Sequence, residues 1–186
     1  MTPTEPNRAD LGKDPARVSG MFDQVAAGYD RTNTVMTFGS DVLWRRATTR
    51  AVAPKPGERI LDLCAGPGIK TGQIAARVGR MGNMVSVEPV ESRAEDISIQ
   101  LQRLGFHHGL VVEVDARDGE IMTGFDRVLV DAPCSDLGAL SSRPDARWRK
   151  SPALIERVAG LQREILDRAC SFVGAGGSLV YSTCTI

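Results

Sequence analysis

The sequence predicts an α/β domain with a mostly parallel sheet and helices on both faces, and three observations lead to this fold class. The chain has 186 residues, of which 42% are hydrophobic and 25% are charged, so its composition fits one globular domain. Short apolar runs, typical of strands buried in a parallel sheet, recur along the chain. Amphipathic helical patterns separate several of these runs, and this alternation is typical of parallel strands joined by crossover helices.

The predicted elements follow one another in three sections. Residues 1–14 are polar, and we expect a flexible tail there. Residues 15–58 predict a helical cap, with one helix that begins at Pro15 and another over residues 41–53. Residues 59–186 predict the sheet-forming core, in a single domain that runs from residue 15 to residue 186. The predicted strands of this core are Arg59–Cys64, Met84–Val87, Leu110–Val114, Val128–Val130 and Ser178–Tyr181. The predicted helices of the core are Thr71–Val78, Ser92–Leu104 and Pro152–Phe172.

Charge and cysteine usage argue against several classes of protein. Lys plus Arg and Asp plus Glu number 23 each, so the composition does not indicate general phosphate neutralisation. The cysteines Cys64, Cys134, Cys170 and Cys184 lack C-x-x-C spacing, which argues against a zinc site or a redox pair. We therefore expect no metal and a reduced, cytoplasmic setting. The N-terminal residues lack the order of a signal peptide, and no apolar run is long enough for a bilayer, so we expect no membrane association.

Small residues between the first predicted strand and its helix predict a cofactor loop. The run Ala65–Gly68 would let the backbone approach a ligand at the helix N-terminus, although an ordinary strand-to-helix turn is the alternative. Glu88, Asp115 and Asp131 end the next three predicted strands, where acidic groups would line the crevice of an open α/β sheet. The loop lacks G-x-G-x-x-G spacing and contains Pro67, so a cofactor without phosphates fits better than a dinucleotide.

Two cysteines at the ends of predicted strands indicate covalent chemistry on a pyrimidine. Cys134 follows the fourth predicted strand and Cys184 the fifth, so we expect both thiols at the edge of the sheet that carries the glycine loop. A thiolate that adds to carbon 6 of a pyrimidine makes carbon 5 nucleophilic, and a second positioned group can assist the later proton loss. For Cys64 and Cys170 a structural role, as small buried hydrophobic residues, is favoured.

The motifs around these residues resemble the Nop/Sun family of RNA cytosine-5 methyltransferases. The resemblance runs from about Ile60 to the end of the chain, and its most specific parts are D-A-P-C-S at Asp131 and S-T-C-T at Ser182. It implies a Rossmann-like class I S-adenosylmethionine-dependent methyltransferase fold, which we expect to be C-terminally truncated because the chain stops two residues after Cys184. It also implies RNA, ribosomal RNA in particular, as substrate, S-adenosylmethionine as methyl donor and S-adenosylhomocysteine as product.

The same resemblance implies roles for individual residues. Cys184 would be the attacking nucleophile, Cys134 would help release the product, and Asp131 would contact the flipped cytosine and the reacting centre. Glu88 would bind the ribose of the cofactor and Asp115 would lie beside its adenine. The full set predicted to hold the cofactor is Asp62, Cys64, Ala65, Gly66, Pro67, Gly68, Lys70, Glu88, Arg93, Asp115 and Asp131.

A basic segment with an aromatic side chain predicts the RNA contact. Arg143, Arg147 and Trp148 are predicted to pair with phosphates and to stack on a base, and a solvated basic loop is the alternative. Because the chain carries no net charge, we expect the RNA binding to be weak. Asp136 stands where the family usually has glycine, which places a charged side chain beside Cys134.

The first 58 residues resemble a different family, the UbiE-type quinone C-methyltransferases of menaquinone synthesis. This resemblance rests on M-F-D at Met21, Y-D at Tyr29, Asn33 and W-R-R-A-T at Trp44, and it implies helices that cap the cofactor pocket. The chain therefore looks like a hybrid of two families. Three functions stay open: RNA cytosine methylation, quinone C-methylation, and a noncatalytic fold that only binds cofactor or associates. We expect a homodimer or a domain-swapped oligomer to form through an exposed sheet edge at residues 177–181.

Overall fold

The structure, a computed structural model, describes residues 40–137, 140, 148 and 150–183. The chain divides into two units, Met1–Asp41 and Val42–Ile186. The predicted tail and the predicted helix at Pro15 lie outside the described residues, as do Phe22, Tyr29 and Asn33 of the predicted cap.

Helices and strands alternate along most of the described residues, as the sequence predicts, and in one place two strands follow each other without a helix between them. The helices are α1 (Ser40–Val52), α2 (Ile69–Val78), α3 (Glu91–Arg103) and α4 (Pro152–Cys170). The strands are β1 (Arg59–Leu63), β2 (Asn83–Val87), β3 (Gly109–Val112), β4 (Phe125–Asp131) and β5 (Val173–Ser182). The start of α4 has a local cause, because the Ser151 side chain accepts a hydrogen bond from the Leu154 N–H at 3.2 Å and Pro152 takes the first turn.

The strands form one parallel sheet in the order β3-β2-β1-β4-β5. This is the order of the first five strands in a Rossmann-type sheet, so the predicted arrangement is confirmed. The apolar side chains of the strands form one core cluster on each face. On one face they pack against Ile165, Ala169 and Phe172 in and just after α4. On the other they pack against α1, α2 and α3 through Val52, Ile74 and Ile97, among others.

The observed strand bounds correct the prediction at the end of β3. The apolar run predicts a strand to Val114, with Asp115 at its end, but β3 stops at Val112. Val112 is the register partner of Val87, the last residue of β2, so the neighbouring strand offers no further ladder partner. Asp115 therefore lies in the loop, three residues beyond the strand. Glu88 directly follows β2 and Asp131 is the last residue of β4, as predicted.

Strand β5 begins five residues earlier than predicted. Val173 pairs with Phe125, and regular pairing resumes at Ser178 with Arg127, so the glycine-rich residues 174–177 form an irregularity inside the ladder. From Ser178 to Ser182 the register with β4 is continuous. In the part of the chain that the structure describes, no helix is both long and apolar enough to cross a bilayer.

Candidate active site

The glycine loop lies directly against the carboxylate that ends β2. The backbone N–H of Gly66 donates to Glu88 Oε2 at 3.1 Å, and the N–H of Val90 donates to Oε1 at 3.2 Å. A Cβ at position 66 would lie 2.5 Å from Oε2, so only glycine allows this approach. Glu88 is only 3% exposed.

This arrangement fits the ribose of a nucleoside cofactor. A carboxylate has about four acceptor positions, and two of those on Glu88 are used by backbone N–H groups. The remaining positions can accept ribose hydroxyls at the carboxyl end of β2, the place where open α/β sheets bind such ligands. Arg93 Nη1 lies 3.8 Å from Glu88 Oε1 with most of its side chain exposed, so it adds a positive charge at the rim.

Buried polar groups lie beneath the loop, on the face of the sheet that α2 and α3 cover. Asp62 of β1 and Ser86 of β2 are register partners, and both are fully buried. Asp62 Oδ2 accepts a hydrogen bond from Thr71 Oγ1 at 2.7 Å. Within the described residues, Asp62 Oδ1, Ser86 Oγ and Gln100 Oε1 have no hydrogen-bond partner. Burial raises the pKa of Asp62 from 3.8 to about 7, with the nearby Asp131 charge adding to the rise.

Lys70 and Asp131 form an ion pair that joins the first turn of α2 to the end of β4. Their side chains are 22% and 27% exposed, so both face the crevice rather than the core. Lys70 Nζ bonds Asp131 Oδ2. The second oxygen of Asp131 can accept a hydrogen bond from a ligand amine.

The Cys134 thiol lies close to the Asp136 carboxylate. Cys134 Sγ is 3.5 Å from Asp136 Oδ1, and the backbone N–H of Asp136 donates to the sulfur at 3.4 Å. Asp136 has a φ of 56°, in the left-handed region that favours glycine. The predicted charged side chain beside Cys134 is thus confirmed. Lys150 Nζ, 3.8 Å from Asp136 Oδ2, offsets part of the added negative charge.

Helix α4 and helix α1 each contact one of the two motif segments. Gln162 Nε2 donates to the carbonyl of Pro133 at 2.8 Å, which holds the backbone next to Cys134. The hydroxyls of Thr48 in α1 and Ser182 at the end of β5 lie 3.2 Å apart. Neither the Gln162–Pro133 contact nor the Thr48–Ser182 contact could be predicted from the sequence, because contacts between residues this far apart in the chain leave no local pattern.

The other two described cysteines, Cys64 and Cys170, differ in burial. Cys64 directly follows β1 in a mostly buried position, and desolvation raises its thiol pKa to about 12, with the surrounding carboxylates adding to the effect. A thiol that stays protonated at neutral pH is a poor nucleophile. Cys170, at the end of α4, is exposed, so its predicted role as a buried residue is wrong, whereas that of Cys64 agrees with its burial.

The Asp115 carboxylate is held by Arg117, a residue that no sequence motif indicated. Arg117 donates from Nε to Asp115 Oδ1 at 3.0 Å and from Nη2 to Oδ2 at 2.8 Å, and this contact lowers the pKa of Asp115. Arg117 also bonds Glu164 of α4 at 3.0 Å. Asp115 is therefore a charged, oriented carboxylate in the loop after β3.

Several predicted site residues lie outside the described residues. These are Cys184, Arg143 and Arg147. Trp148 is described and is 80% exposed, so its ring is accessible to a ligand. In the described part of the chain, no group of three or more His, Cys, Asp or Glu side chains has the arrangement of a metal site.

Comparison with known proteins identifies relatives of most of the chain. Residues 49–186 match the family model described as 16S rRNA methyltransferase RsmB/F. A putative methyltransferase of Mycobacterium tuberculosis is 43% identical over 184 residues, which cover 92% of this chain and 35% of the relative. A probable ribosomal RNA small subunit methyltransferase B of Synechocystis is 39% identical over 136 residues, covering 72% of this chain and 30% of the relative. The chain thus spans about a third of the length of these relatives.

Solved structures share the fold. The structure of NSun6 from Pyrococcus horikoshii with SFG, an S-adenosylmethionine analogue, matches with a TM-score of 0.69 and 33% identity, over 77% of this chain and 37% of that one. A methyltransferase homologue from the same organism matches with a TM-score of 0.66 and 30% identity, over 77% of this chain and 45% of that one. These likenesses confirm the predicted Rossmann-like class I methyltransferase fold.

Proposed function

Because the chain belongs to the RsmB/F family of 16S rRNA methyltransferases, we propose that it is the catalytic core of an RNA cytosine-C5 methyltransferase that uses S-adenosylmethionine. Ribosomal RNA is the proposed substrate class. The matched part of this chain covers only about a third of the length of these relatives, so the proposal concerns the core and not a whole enzyme.

The observation that carries the proposal is the register between β4 and β5. Asp131 pairs with Ser182, and the N–H of Ala132 donates to the Ser182 carbonyl at 3.0 Å. The chain reaches Cys134 three residues beyond Asp131 and Cys184 two residues beyond Ser182. The segments that lead to Cys134 and to Cys184 therefore begin at the same pair of neighbouring strand residues, Asp131 and Ser182, beside Lys70. This supports the assignment of both thiols to one reaction.

The cofactor, when bound, supplies a methyl group on a positively charged sulfur. Glu88 accepts hydrogen bonds from its ribose hydroxyls. Gly66 keeps the loop backbone close to the Glu88 carboxylate, so that the ligand can lie over the loop. Arg93 and Asp115 are proposed to line the same end of the crevice. Asp62 acts indirectly, because it is fully buried and bonds Thr71 in the helix that follows the loop.

The proposed reaction begins with the Cys184 thiolate, which forms a bond to carbon 6 of a cytosine taken out of its stack. The electron pair of the 5,6 double bond makes carbon 5 nucleophilic. Carbon 5 would take the methyl group as the bond from the methyl group to the sulfonium sulfur breaks, which would leave S-adenosylhomocysteine. Asp131 accepts a hydrogen bond from the cytosine amine and Lys70 keeps that carboxylate in place. The carbon 5 proton then leaves to a base assisted by Cys134, the double bond re-forms, and the Cys184 thiolate is expelled.

Exposed groups after Cys134 are proposed to hold the RNA. Trp148 can stack on a base, and the sequence places Arg143 and Arg147 next to it. We expect weak binding by the core alone, because the chain has no net charge.

The test compares cysteine variants in a methyl-transfer assay with labelled S-adenosylmethionine and a cytosine-containing ribosomal RNA fragment. Cys184→Ala should abolish transfer and form no covalent RNA adduct. Cys134→Ala should instead accumulate an adduct that resists denaturation, because release is slowed. Cys170→Ala is the matched control and should behave as wild type. Full transfer by Cys184→Ala would contradict the proposed nucleophile.

Several expectations stay predictions. The family model begins at residue 49. The alignment with the Mycobacterium relative covers 92% of this chain, so that relative also matches part of residues 1–58. Quinone methylation, and with it the hybrid origin, is tested by offering the protein a quinone acceptor and RNA in parallel assays. Methyl transfer to the quinone but not to RNA would contradict the proposed RNA methylation. Association through residues 177–181 is tested by light scattering, and a monomer at high concentration would contradict it. Cytoplasmic location also stays a prediction.

A further inference from the structure

A cavity lined by basic side chains lies at the amino ends of the strands, away from the candidate active site. Arg80, His107 and His108 line a cavity of about 150 Å³ together with Gly105. Arg80 precedes β2, and the two histidines directly precede β3. The five residues of β2 separate this end of the sheet from Glu88 by about 17 Å.

The hydrogen-bond donors of these side chains have no partner among the described residues. Among the described residues, Arg80, His107 and His108 form no ion pair and no side-chain hydrogen bond. Two acids near the amino ends of the strands are already engaged. Glu58 pairs with Arg127 at 3.0 Å, and Asp126 accepts the N–H of Arg59 at 2.8 Å. The cavity is lined by one guanidinium and two imidazoles, and its lining contains no carboxylate.

Helix ends offer a simpler explanation, but they account for these basic side chains poorly. α2 ends at Val78 and α3 at Arg103, and cations are favoured near helix C-termini. The effect falls off within the last turn, and the described contacts give Arg80 and the two histidines no bond to a helix carbonyl. Gly105, with a φ of 67°, turns the chain out of α3 and directs the histidines to the cavity.

We propose that this cavity binds a phosphate group of the RNA backbone, as a second contact for the substrate of the proposed methyl transfer. The inference rests on that proposed function. A cavity of about 150 Å³ has room for a phosphate group, which is only a few times the size of a water molecule. An arginine guanidinium can bond two phosphate oxygens at once, and neutral or charged imidazoles add further donors. An RNA that reaches both ends of β2 is thereby oriented across the sheet.

The test is the salt dependence of RNA binding by the full chain. Binding is measured by the fluorescence anisotropy of a labelled ribosomal RNA hairpin. Each lost phosphate contact lowers the slope of log affinity against log salt by about 0.7 to 0.9. Arg80→Gln should therefore bind about 5- to 8-fold more weakly near 0.1 M salt, with a shallower slope. Arg80→Lys should keep the slope, and Arg163→Gln, an exposed arginine of α4, is the matched control.

The outcomes separate the two proposals. If the wild type transfers methyl groups, and the salt slope of RNA binding is unchanged in Arg80→Gln and His107→Gln, only the phosphate site is overturned. A changed slope in these variants without any cytosine methylation supports the site and overturns the proposed function. Stabilisation by inorganic phosphate at constant ionic strength, dependent on Arg80 but without a slope change for RNA, would assign the cavity to free phosphate and overturn the RNA contact. Loss of thermal stability in Arg80→Gln with wild-type slope would assign the charge to the helix ends.

Discussion

Asp62→Asn should remove a pH dependence of stability that arises from one buried carboxyl group. Asp62 is fully buried, accepts a single hydrogen bond, from Thr71, and has one oxygen without a partner among the described residues. Asparagine keeps the shape and the acceptor for Thr71 but cannot ionise. The wild-type protein must either keep the proton on Asp62 or bury a negative charge as the pH rises.

The sign and size follow from the two pKa values of Asp62. The folded pKa, about 7, lies above the ordinary 3.8, so the folded state binds the extra proton between these values. The stabilising contribution is fully present below about pH 4 and is lost as the pH rises through about 7. A shift of about three units at about 1.4 kcal/mol each corresponds to about 4 kcal/mol of unfolding free energy.

The assay is urea unfolding of both proteins at a series of pH values from about 4 to 8. The difference in unfolding free energy between wild type and Asp62→Asn should move by about 4 kcal/mol in favour of the variant as the pH rises. Thr71→Val should move the upper end of the window to higher pH, because the hydrogen bond from Thr71 lowers the pKa of Asp62. Asp118→Asn changes an exposed carboxyl and is the control. A difference that stays constant across the series would refute the reasoning.

Three further substitutions probe the cofactor crevice, the Cys134 segment and the core. Glu88→Gln should weaken S-adenosylmethionine binding by about 10- to 100-fold in calorimetry, since hydrogen bonds to a charged group contribute about 1.5–3 kcal/mol, whereas exposed Glu95→Gln should bind normally. Gln162→Leu should lower methyl transfer while leaving cofactor affinity unchanged, and a parallel loss of both would contradict its role in the Cys134 segment. Leu129→Ala should lower the unfolding free energy by about 2–5 kcal/mol, against a change near zero for half-exposed Leu104→Ala; a small effect at both positions would contradict the assigned core.

The order of strands and helices could be predicted from the sequence because burial in a parallel sheet demands short apolar runs. The end of β3 could not, since Val114 continues the apolar run and only the end of β2 stops the ladder. The glycines of residues 174–177 indicate a loop, yet pairing of Val173 with Phe125 draws them into β5. In each case a neighbouring strand that is distant in sequence determined where the strand begins or ends.

The candidate site divides in the same way. Gly66, Glu88 and Asp131 could be identified from their positions after strands, and the structure brings Gly66 and Glu88 into contact. The neighbours that set their chemistry could not be identified. Arg117 fixes the charge of Asp115, and Thr71 moderates the pKa of Asp62, but both act through geometry that appears only when the helices pack.

The ladder between β4 and β5 also bears on how this family can change over evolution. The connection from β4 to β5 includes α4 and all the residues from 132 to 172, so insertions and deletions there are to be expected. Irregular pairing is confined to residues 174–177, at the start of β5, while Ser178–Ser182 keeps a continuous register with β4. Length changes in the connection can thus be absorbed at the far end of the strand. The spacing between the segments that lead to Cys134 and Cys184 is set by the register of β4 and β5 and not by the length of the connection.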